Sequence, residues 1–241
     1  MRPHASWCIA LALGLAAGAA QAQKAGDWVV GAGALTYAPH DKTSPLALVS
    51  PVQQVFPGTG ANVRNATTLG LNLHYFITDN WAVEAVFGIP PRIKLDGSGA
   101  LAPVGRLGDA RLYSPALLGK YFFGRSDDRF RVSAGLGLTY AAFRSVRLTP
   151  GLQGVMGGAL GIPPGASVTS GRIGSKLAPV FNVGANYAID THWGVAFSLS
   201  WIPMKTTATL TTRVGGNTVG VARTRVRLDP IVPYLYLTYR F

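Results

Sequence analysis

Large apolar side chains alternate with small or polar ones through most of the chain, and this alternation predicts β-strands. Between Trp193 and Trp201 the odd positions carry Trp, Val, Phe, Leu and Trp, whereas the even positions carry Gly, Ala and Ser. The same pattern recurs in eight segments, which we predict to be strands: residues 28–36, 68–77, 81–89, 112–123, 130–143, 177–189, 193–212 and 223–241.

The connections between these strands are alternately short and long. Three are tight polar turns, at residues 78–80, 124–129 and 190–192. The others are long or polar, at residues 37–67, 90–111, 144–176 and 212–222. An even strand number with all short turns on one side predicts an all-β fold, an eight-stranded antiparallel transmembrane β-barrel with short periplasmic turns and long extracellular loops.

Composition agrees with an exported, membrane-embedded β protein. The chain has 30 Gly and 16 Pro, which interrupt helices, and a mean hydropathy of +0.25 with 13% charged residues, which is apolar for a soluble exported domain. Residues 1–22 resemble a secretory signal peptide, with cleavage before Gln23. The single cysteine, Cys8, lies in that segment. The predicted mature domain, 23–241, is therefore held by backbone pairing and packing without disulfides.

The direction of the bulky face distinguishes a membrane barrel from a soluble lipocalin-like barrel. An eight-stranded barrel has an interior just wide enough for side chains or one small ligand. Phe, Leu, Trp and Tyr from eight strands would overfill it, whereas Gly, Ala, Ser, Asn and Thr fit. The bulky face is therefore predicted to contact lipid.

Tryptophans mark the two predicted membrane interfaces, where aromatic side chains collect. Trp28, Trp81 and Trp193 are predicted to form the periplasmic girdle, and Trp201 belongs to the outer one. The step from Trp193 to Trp201 covers about 26 Å along a strand, which a tilt near 40° reduces to a height of about 20 Å. This height is close to that of the apolar band of such barrels.

Three segments resemble the OmpW family of outer-membrane proteins. They are AGDWVVGAGA (25–34), TDNWAVEAVFGIP (78–90) and LDPIVPYLYLTYRF (228–241), and KYFFG (120–124) and KTTATL (205–210) stand where that family has similar segments. The loop at 145–176 differs from the family pattern. The resemblance implies a barrel in the outer membrane of a Gram-negative bacterium. It also implies a narrow hydrophobic channel for small hydrophobic molecules, and some members serve as bacteriocin receptors. The last residue, Phe241, resembles the signal that the barrel assembly machinery recognises.

The register of the small-residue face identifies candidate residues of a channel. Passive, energy-independent passage of small hydrophobic solutes is the first functional prediction. Its predicted lining is Leu35, Phe76, Val86, Ile202, Tyr234 and Tyr236, and Leu46, Leu48 and Phe56 are predicted to shape the mouth. The alternative is a sealed barrel, a structural, stress-related or receptor protein whose extracellular loops bind the ligand.

Four charged residues share the small-residue face near the periplasmic strand ends: Glu84, Lys120, Arg131 and Arg240. Charges in a low-dielectric lumen need partners, so we expect these four to pair. Such a cluster forms either a structural plug or an ion gate. A plug predicts that solute leaves the barrel laterally or through a wider mouth.

The histidines do not form a catalytic or metal site in the sequence pattern. His74 lies on the same face and is a candidate catalytic base, but no serine motif accompanies it, so no enzymatic activity is predicted. His40 and His192 lie far apart in loops, and no metal or other cofactor is predicted.

The net charge of +12 has a predicted location, since most of the 22 Lys and Arg residues fall on the long-loop side. These are Lys42, Arg64, Arg92, Lys94, Arg106, Arg111, Arg144, Arg147, Arg172, Lys176, Lys205, Arg213, Arg223, Arg225 and Arg227. The loops have no aromatic-basic pattern typical of nucleic-acid recognition, so no nucleic-acid partner is predicted. Attraction to lipopolysaccharide phosphates in the outer-membrane lipid is the favoured interpretation, and a merely solvated basic face is the alternative.

Overall fold

A computed structural model of the chain describes residues 24–241, so the predicted signal peptide lies outside the described residues. The described chain is built mainly of strands: β1 (Trp28–Tyr37), β2 (Lys42–Thr43), β3 (Leu46–Ser50), β4 (Gln54–Phe56), β5 (Thr59–Val63), β6 (Ala66–Phe76), β7 (Trp81–Gly88), β8 (Arg92–Gly99), β9 (Arg106–Tyr113), β10 (Ala116–Phe122), β11 (Phe130–Leu148), β12 (Val168–Ile173), β13 (Lys176–Ala188), β14 (Trp193–Trp201), β15 (Lys205–Val214), β16 (Asn217–Arg227) and β17 (Ile231–Arg240). A 3-10 helix (Ala102–Val104) precedes β9, and helix α1 (Pro150–Gly158) follows β11.

Eight strands form a closed antiparallel barrel, in the order β10-β7-β6-β1-β17-β14-β13-β11. The barrel closes because β10 pairs with both β7 and β11. A closed sheet leaves no strand edge in contact with lipid, where an unpaired backbone group costs several kcal/mol. The predicted eight-stranded barrel is confirmed.

Exposure of side chains confirms the predicted orientation of the two faces. On β14, Trp193, Phe197 and Trp201 are each nearly half exposed, whereas Gly194 and Ala196 between them are buried. The exposed apolar side chains form the lipid-facing surface of the barrel. The small residues face inward and leave room for a few large side chains in the lumen.

Tight polar turns join the strands at the periplasmic end. In the turn before β14, Asp190 Oδ1 accepts hydrogen bonds from the backbone N–H groups of Trp193 (2.7 Å) and His192 (2.8 Å). These two bonds lower the pKa of Asp190, because they stabilise its carboxylate form. In the turn before β7, Thr78 Oγ1 accepts a bond of 3.0 Å from the N–H of Trp81.

The predicted strands at 112–123, 193–212 and 223–241 are too long. Each is divided by a proline-containing break, at Pro115, Pro203 and Pro230. Proline has no N–H to donate to a ladder, so the strand ends and the chain beyond it takes a new partner. Beyond the break after β14, for example, β15 pairs with β16 rather than with a barrel strand.

The long extracellular segments, predicted as loops, are largely ordered into sheets. The upper part of β11 pairs with β9, and β8 and β5 continue that sheet. A second sheet has the order β12-β15-β16-β3-β4, with β2 beside β16. These strands extend the barrel outward. The alternation of apolar and polar residues is weak in these extracellular strands. In addition, β16 pairs with β3, which lies near the other end of the chain, so the local sequence pattern does not predict the extracellular sheets.

Most of the apolar interior lies in the outer half of the molecule. One cluster of buried residues spans the upper barrel and the base of the extension, and includes Leu35, Leu112, Ile202 and Tyr234. A second lies higher, where Leu152 and Met156 of α1 pack against Leu46 and Leu210. Helix α1 has nine residues, and between residues 24 and 241 no helix is long and apolar enough to cross a membrane.

Candidate functional site

Glu84 is the centre of a buried polar cluster in the lumen. Its Oε1 accepts a hydrogen bond of 2.8 Å from Asn72 Nδ2, and His74 Nε2 lies 3.1 Å from the same oxygen. The Lys120 ammonium lies 3.2 Å from Oε2. His74 Nε2 and Lys120 Nζ lie close to the carboxylate, but their angles are outside hydrogen-bond geometry. The contact between the Lys120 ammonium and the carboxylate is therefore an ion pair without a hydrogen bond. All four side chains are buried, and the carboxylate is compensated on both oxygens.

The hairpin of β6 and β7 positions this cluster. Its turn sets the register in which His74 stands directly opposite Glu84, and Asn72 stands opposite Val86. On the other side of β7, Lys120 of β10 stands opposite Ala82, one inward position below Glu84. From the sequence, His74 was placed on this face but was not joined to Glu84. The short turn at 78–80 was the signal that fixes this pairing.

An aromatic floor lies beneath the cluster at the periplasmic end. The rings of Phe76 and Phe122 are 5.0 Å apart, and Val29 and Ala82 complete a fully buried apolar group. Phe76 was predicted to line the channel together with five other residues. The structure places it in this floor instead, because it is the last residue of β6 before the periplasmic turn.

Arg131 and Arg240 do not join Glu84 and Lys120, so the predicted four-charge cluster is wrong in its membership. Arg131 donates to the carbonyls of Asp79 (2.8 Å) and Phe122 (3.1 Å), and its guanidinium lies 5.4 Å from the Phe122 ring.

Arg240 lies 3.4 Å from Asp27 Oδ2 and donates to the Thr191 carbonyl. Both arginines stand at strand ends, where a long side chain reaches turn carbonyls and rim carboxylates. They fasten the periplasmic rim, and the lumen pair is Glu84 and Lys120.

Four of the six predicted lining residues surround one cavity above Glu84. Leu35, Val86, Ile202 and Tyr234 line a space of about 40 Å³ in the upper lumen. Tyr236 lies outside this lining, stacked on Tyr234 with ring centroids 4.3 Å apart. The lining combines these apolar side chains with polar ones, and Glu84 is among its lining residues; the other polar residues include Thr139, Asn182, Ser198 and Ser200.

The backbone ladder between β7 and β10 is interrupted at the height of this cavity. The ladder between the two strands ends at the pair Val86 and Ala116, and the next backbone bond joins the Leu112 N–H to the Pro91 carbonyl (3.0 Å). Between these points Pro90, Pro91 and Pro115 have no N–H to offer. The gap is about 230 Å³ and shares four lining residues with the upper lumen: Leu35, Tyr37, Val86 and Ser114. The predicted lateral exit was not located along the sequence, and the prolines at 90, 91 and 115 were the signal for this interruption.

A second apolar cavity lies in the extracellular extension. It measures about 90 Å³ and lies between the two extracellular sheets, lined by residues that include Leu46, Leu107, Leu152 and Leu210. Leu46 was predicted to shape the mouth, together with Leu48 and Phe56. These two residues belong to the apolar cluster around this cavity.

The predicted girdle residues are paired with other aromatic rings on the outer surface. Trp28 packs on Tyr75 (centroids 4.7 Å apart), Trp81 on Tyr121 (5.1 Å) and Trp193 on Tyr239 (5.0 Å), all at the periplasmic end. Trp201 stacks on Phe181 (5.4 Å) at the other end of β14. Phe241 is 73% exposed and packs on Tyr239. Interface anchoring and recognition by the assembly machinery stay predictions for these residues.

Metal-ligating side chains are scattered through the described part of the chain. No group of three or more His, Cys, Asp or Glu side chains with the spacing of a metal site occurs in residues 24–241.

Comparison with known proteins identifies the barrel. The model of the OmpW family matches residues 24–241. The chain belongs to the OmpW family. Outer membrane protein W of Salmonella typhi is 30% identical over 228 residues, which cover 94% of each chain. Outer membrane protein AlkL of Ectopseudomonas oleovorans is 28% identical over 185 residues, which cover 77% of this chain and 70% of AlkL.

The barrel is also similar to a solved structure of an outer-membrane protein. The crystal structure of OprG from Pseudomonas aeruginosa superposes with a TM-score of 0.77 at 26% identity, covering 92% of this chain and 98% of OprG. As in these relatives, the chain is a β-barrel of the bacterial outer membrane, and the resemblance seen in its sequence is confirmed.

Proposed function

We propose that this OmpW-family barrel passes small hydrophobic molecules from the extracellular side into the outer membrane, without an energy source. The route begins in the apolar cavity of the extension, continues through the upper lumen, and leaves through the wall opening between β7 and β10. The adjacency of the upper lumen and that opening, which share four lining residues, is the observation that carries the proposal. Leu35, Tyr37, Val86 and Ser114 line both spaces.

The periplasmic half of the lumen supports a lateral exit. Below Glu84 the interior is filled by Phe76 and Phe122, both with almost no exposed surface. A hydrophobic solute moving straight down would pass the buried ion pair of Glu84 and Lys120 and displace packed aromatic rings. A solute that turns at the height of Val86 instead contacts apolar side chains and then lipid.

The chemistry of the opening fits an apolar solute. Phe87 and Ile89 on one side and Tyr113 on the other are exposed on the lipid-facing surface and line the gap. A molecule crossing there contacts mainly apolar side chains before it reaches the lipid. Each buried CH₂ group contributes about 0.8 kcal/mol, which is the driving force for the transfer.

A cysteine placed in the opening tests the route, because the predicted mature chain contains no cysteine. Ser114→Cys is nearly isosteric, so the variant is expected to fold and to transport a fluorescent hydrophobic dye into Gram-negative cells. Reaction of the introduced cysteine with N-benzylmaleimide then places a bulky group in the gap of the folded protein. We expect dye uptake to fall to the rate of cells without the protein.

Leu117→Cys, modified in the same way, is the matched control. Leu117 is 60% exposed on the lipid face of β10, so its adduct leaves the gap open and uptake is expected to persist. Unchanged uptake after modification at position 114 would refute the lateral route. Absence of uptake in the wild type would favour the alternative of a sealed receptor.

A further inference from the structure

A cleft separates strands β11 and β12 on the extracellular side of the barrel. Strand β11 pairs with β13 as far as Ala141 opposite Lys176, and its upper part then pairs with β9 on its other side. Strand β12 is the edge of the second extracellular sheet. The space between them is about 490 Å³, and its polar lining consists of Arg144, Ser145, Arg172 and Ser175.

A row of arginines leads into this cleft. Arg92 of β8 stands directly opposite Arg111 of β9, which stands directly opposite Arg144 of β11. Partners in register share one face of a sheet, and like charges placed opposite each other are destabilising. All three side chains are exposed. Repulsion between these arginines therefore destabilises the folded protein, and a bound anion would offset this repulsion.

Carboxylates do little to neutralise the row. Arg92 contacts Asp109 at 3.2 Å. Among residues 24–241, Arg111, Arg144 and Arg172 form no ion pair with a carboxylate. Arg144 also precedes a bulge of β11, at which Ser145 has a φ of 50°. The backbone is thus distorted beside Arg144, one of the two arginines that line the cleft.

The row lies on the extracellular side of two exposed tyrosines, at the height where we expect the outer edge of the hydrocarbon. Tyr113, exposed on the lipid face, is two residues from Arg111 on β9, and Tyr140 is four residues from Arg144 on β11. At about 3.3 Å per residue and a tilt near 40°, the arginines lie roughly 5–10 Å above these interface aromatics. Phosphate groups of lipids in the outer leaflet occupy this level.

We propose that the cleft between β11 and β12 binds a phosphate group of lipid A through Arg144 and Arg172, with Arg111 beside it. Guanidinium groups form paired, charge-assisted hydrogen bonds with phosphate, and Ser145 and Ser175 add hydroxyl donors. Lipopolysaccharide would thus bind at one defined position among the basic residues of the extracellular segments. It is independent of the proposed transport, since it requires only that the barrel stands in the outer membrane.

The test compares lipid A with and without its phosphates. The full protein in detergent is mixed with bisphosphorylated lipid A or with fully dephosphorylated lipid A, and bound lipid is counted by native mass spectrometry. We expect the wild type to prefer the phosphorylated lipid by about tenfold or more, the scale of one charge-assisted hydrogen bond. Arg144→Gln/Arg172→Gln is expected to lose this preference.

A matched variant distinguishes a specific phosphate site from general electrostatic attraction between the basic surface and the lipid. Arg223→Gln/Arg225→Gln removes the same charge from exposed positions of β16 and is expected to keep the preference. The proposal is overturned if the cleft variant binds phosphorylated lipid A as the wild type does, or if the β16 variant loses as much. Displacement of the lipid by millimolar inorganic phosphate would also overturn it, because the site would then take a free anion.

Discussion

Replacement of Glu84 tests how the lumen is held together. Glu84→Gln removes the negative charge and leaves the Lys120 ammonium, which is fully buried, without a counter-ion. At 3.2 Å and an effective dielectric constant near 20, the attraction is about 5 kcal/mol before desolvation. Breaking one side of a buried pair typically costs about 3–5 kcal/mol, and we expect a loss of that size in the free energy of unfolding.

The two partners are not expected to be equivalent. Lys120→Met leaves Glu84 with the hydrogen bond from Asn72 and the contact with His74, so it should destabilise the barrel less than Glu84→Gln. The double variant Glu84→Gln/Lys120→Met removes both charges. Its stability should lie above that expected from adding the single effects, with a coupling energy of about 2–3 kcal/mol.

Equilibrium unfolding in urea measures these differences. Barrels folded into lipid vesicles are titrated with denaturant and followed by the fluorescence of the lipid-facing tryptophans, and a gel-mobility assay of the folded form provides a second probe. The reasoning is refuted if Glu84→Gln unfolds within about 1 kcal/mol of the wild type, or if the single effects add without coupling.

Two further predictions concern the seam and the floor of the barrel. A Cβ at Gly33 would lie 2.0 Å from the Leu235 carbonyl oxygen, so Gly33→Ala should cost about 3 kcal/mol or more and impair closure of β1 against β17 in a refolding assay. Gly119→Ala is the control, because the nearest atom to its Cβ is 4.0 Å away, and equal folding yields of the two variants would contradict the steric argument. Arg131→Ala removes the guanidinium that fastens Phe122 and the turn at Asp79, so ion conductance in planar bilayers should rise. Arg125→Ala, at an exposed turn position, should leave conductance unchanged, and a wild-type conductance for Arg131→Ala would show that this residue does not seal the floor.

Alternation in the sequence by itself determined the barrel and the direction of its faces. A period of two is a local property, and the limited volume of an eight-stranded lumen decides which face is large. The tight turns at 78–80 and 190–192 also follow from neighbouring residues alone, as do the positions of Trp193 and Trp201 at opposite ends of one strand. These features need no knowledge of which distant segments meet.

The tertiary structure alone decided which charges pair, where the wall opens and how the extracellular segments fold. Side chains of the two neighbouring strands, β6 and β10, contact Glu84, because the stagger of these strands brings His74 and Lys120 to it, whereas Arg131 of β11 reaches the turn carbonyls. The extracellular sheets depend on pairings such as that between Ala47 and Arg223, which lie at opposite ends of the chain. The register and stagger of strands that are distant in sequence are set by closure of the whole sheet. The alternation of residues along one strand does not determine them.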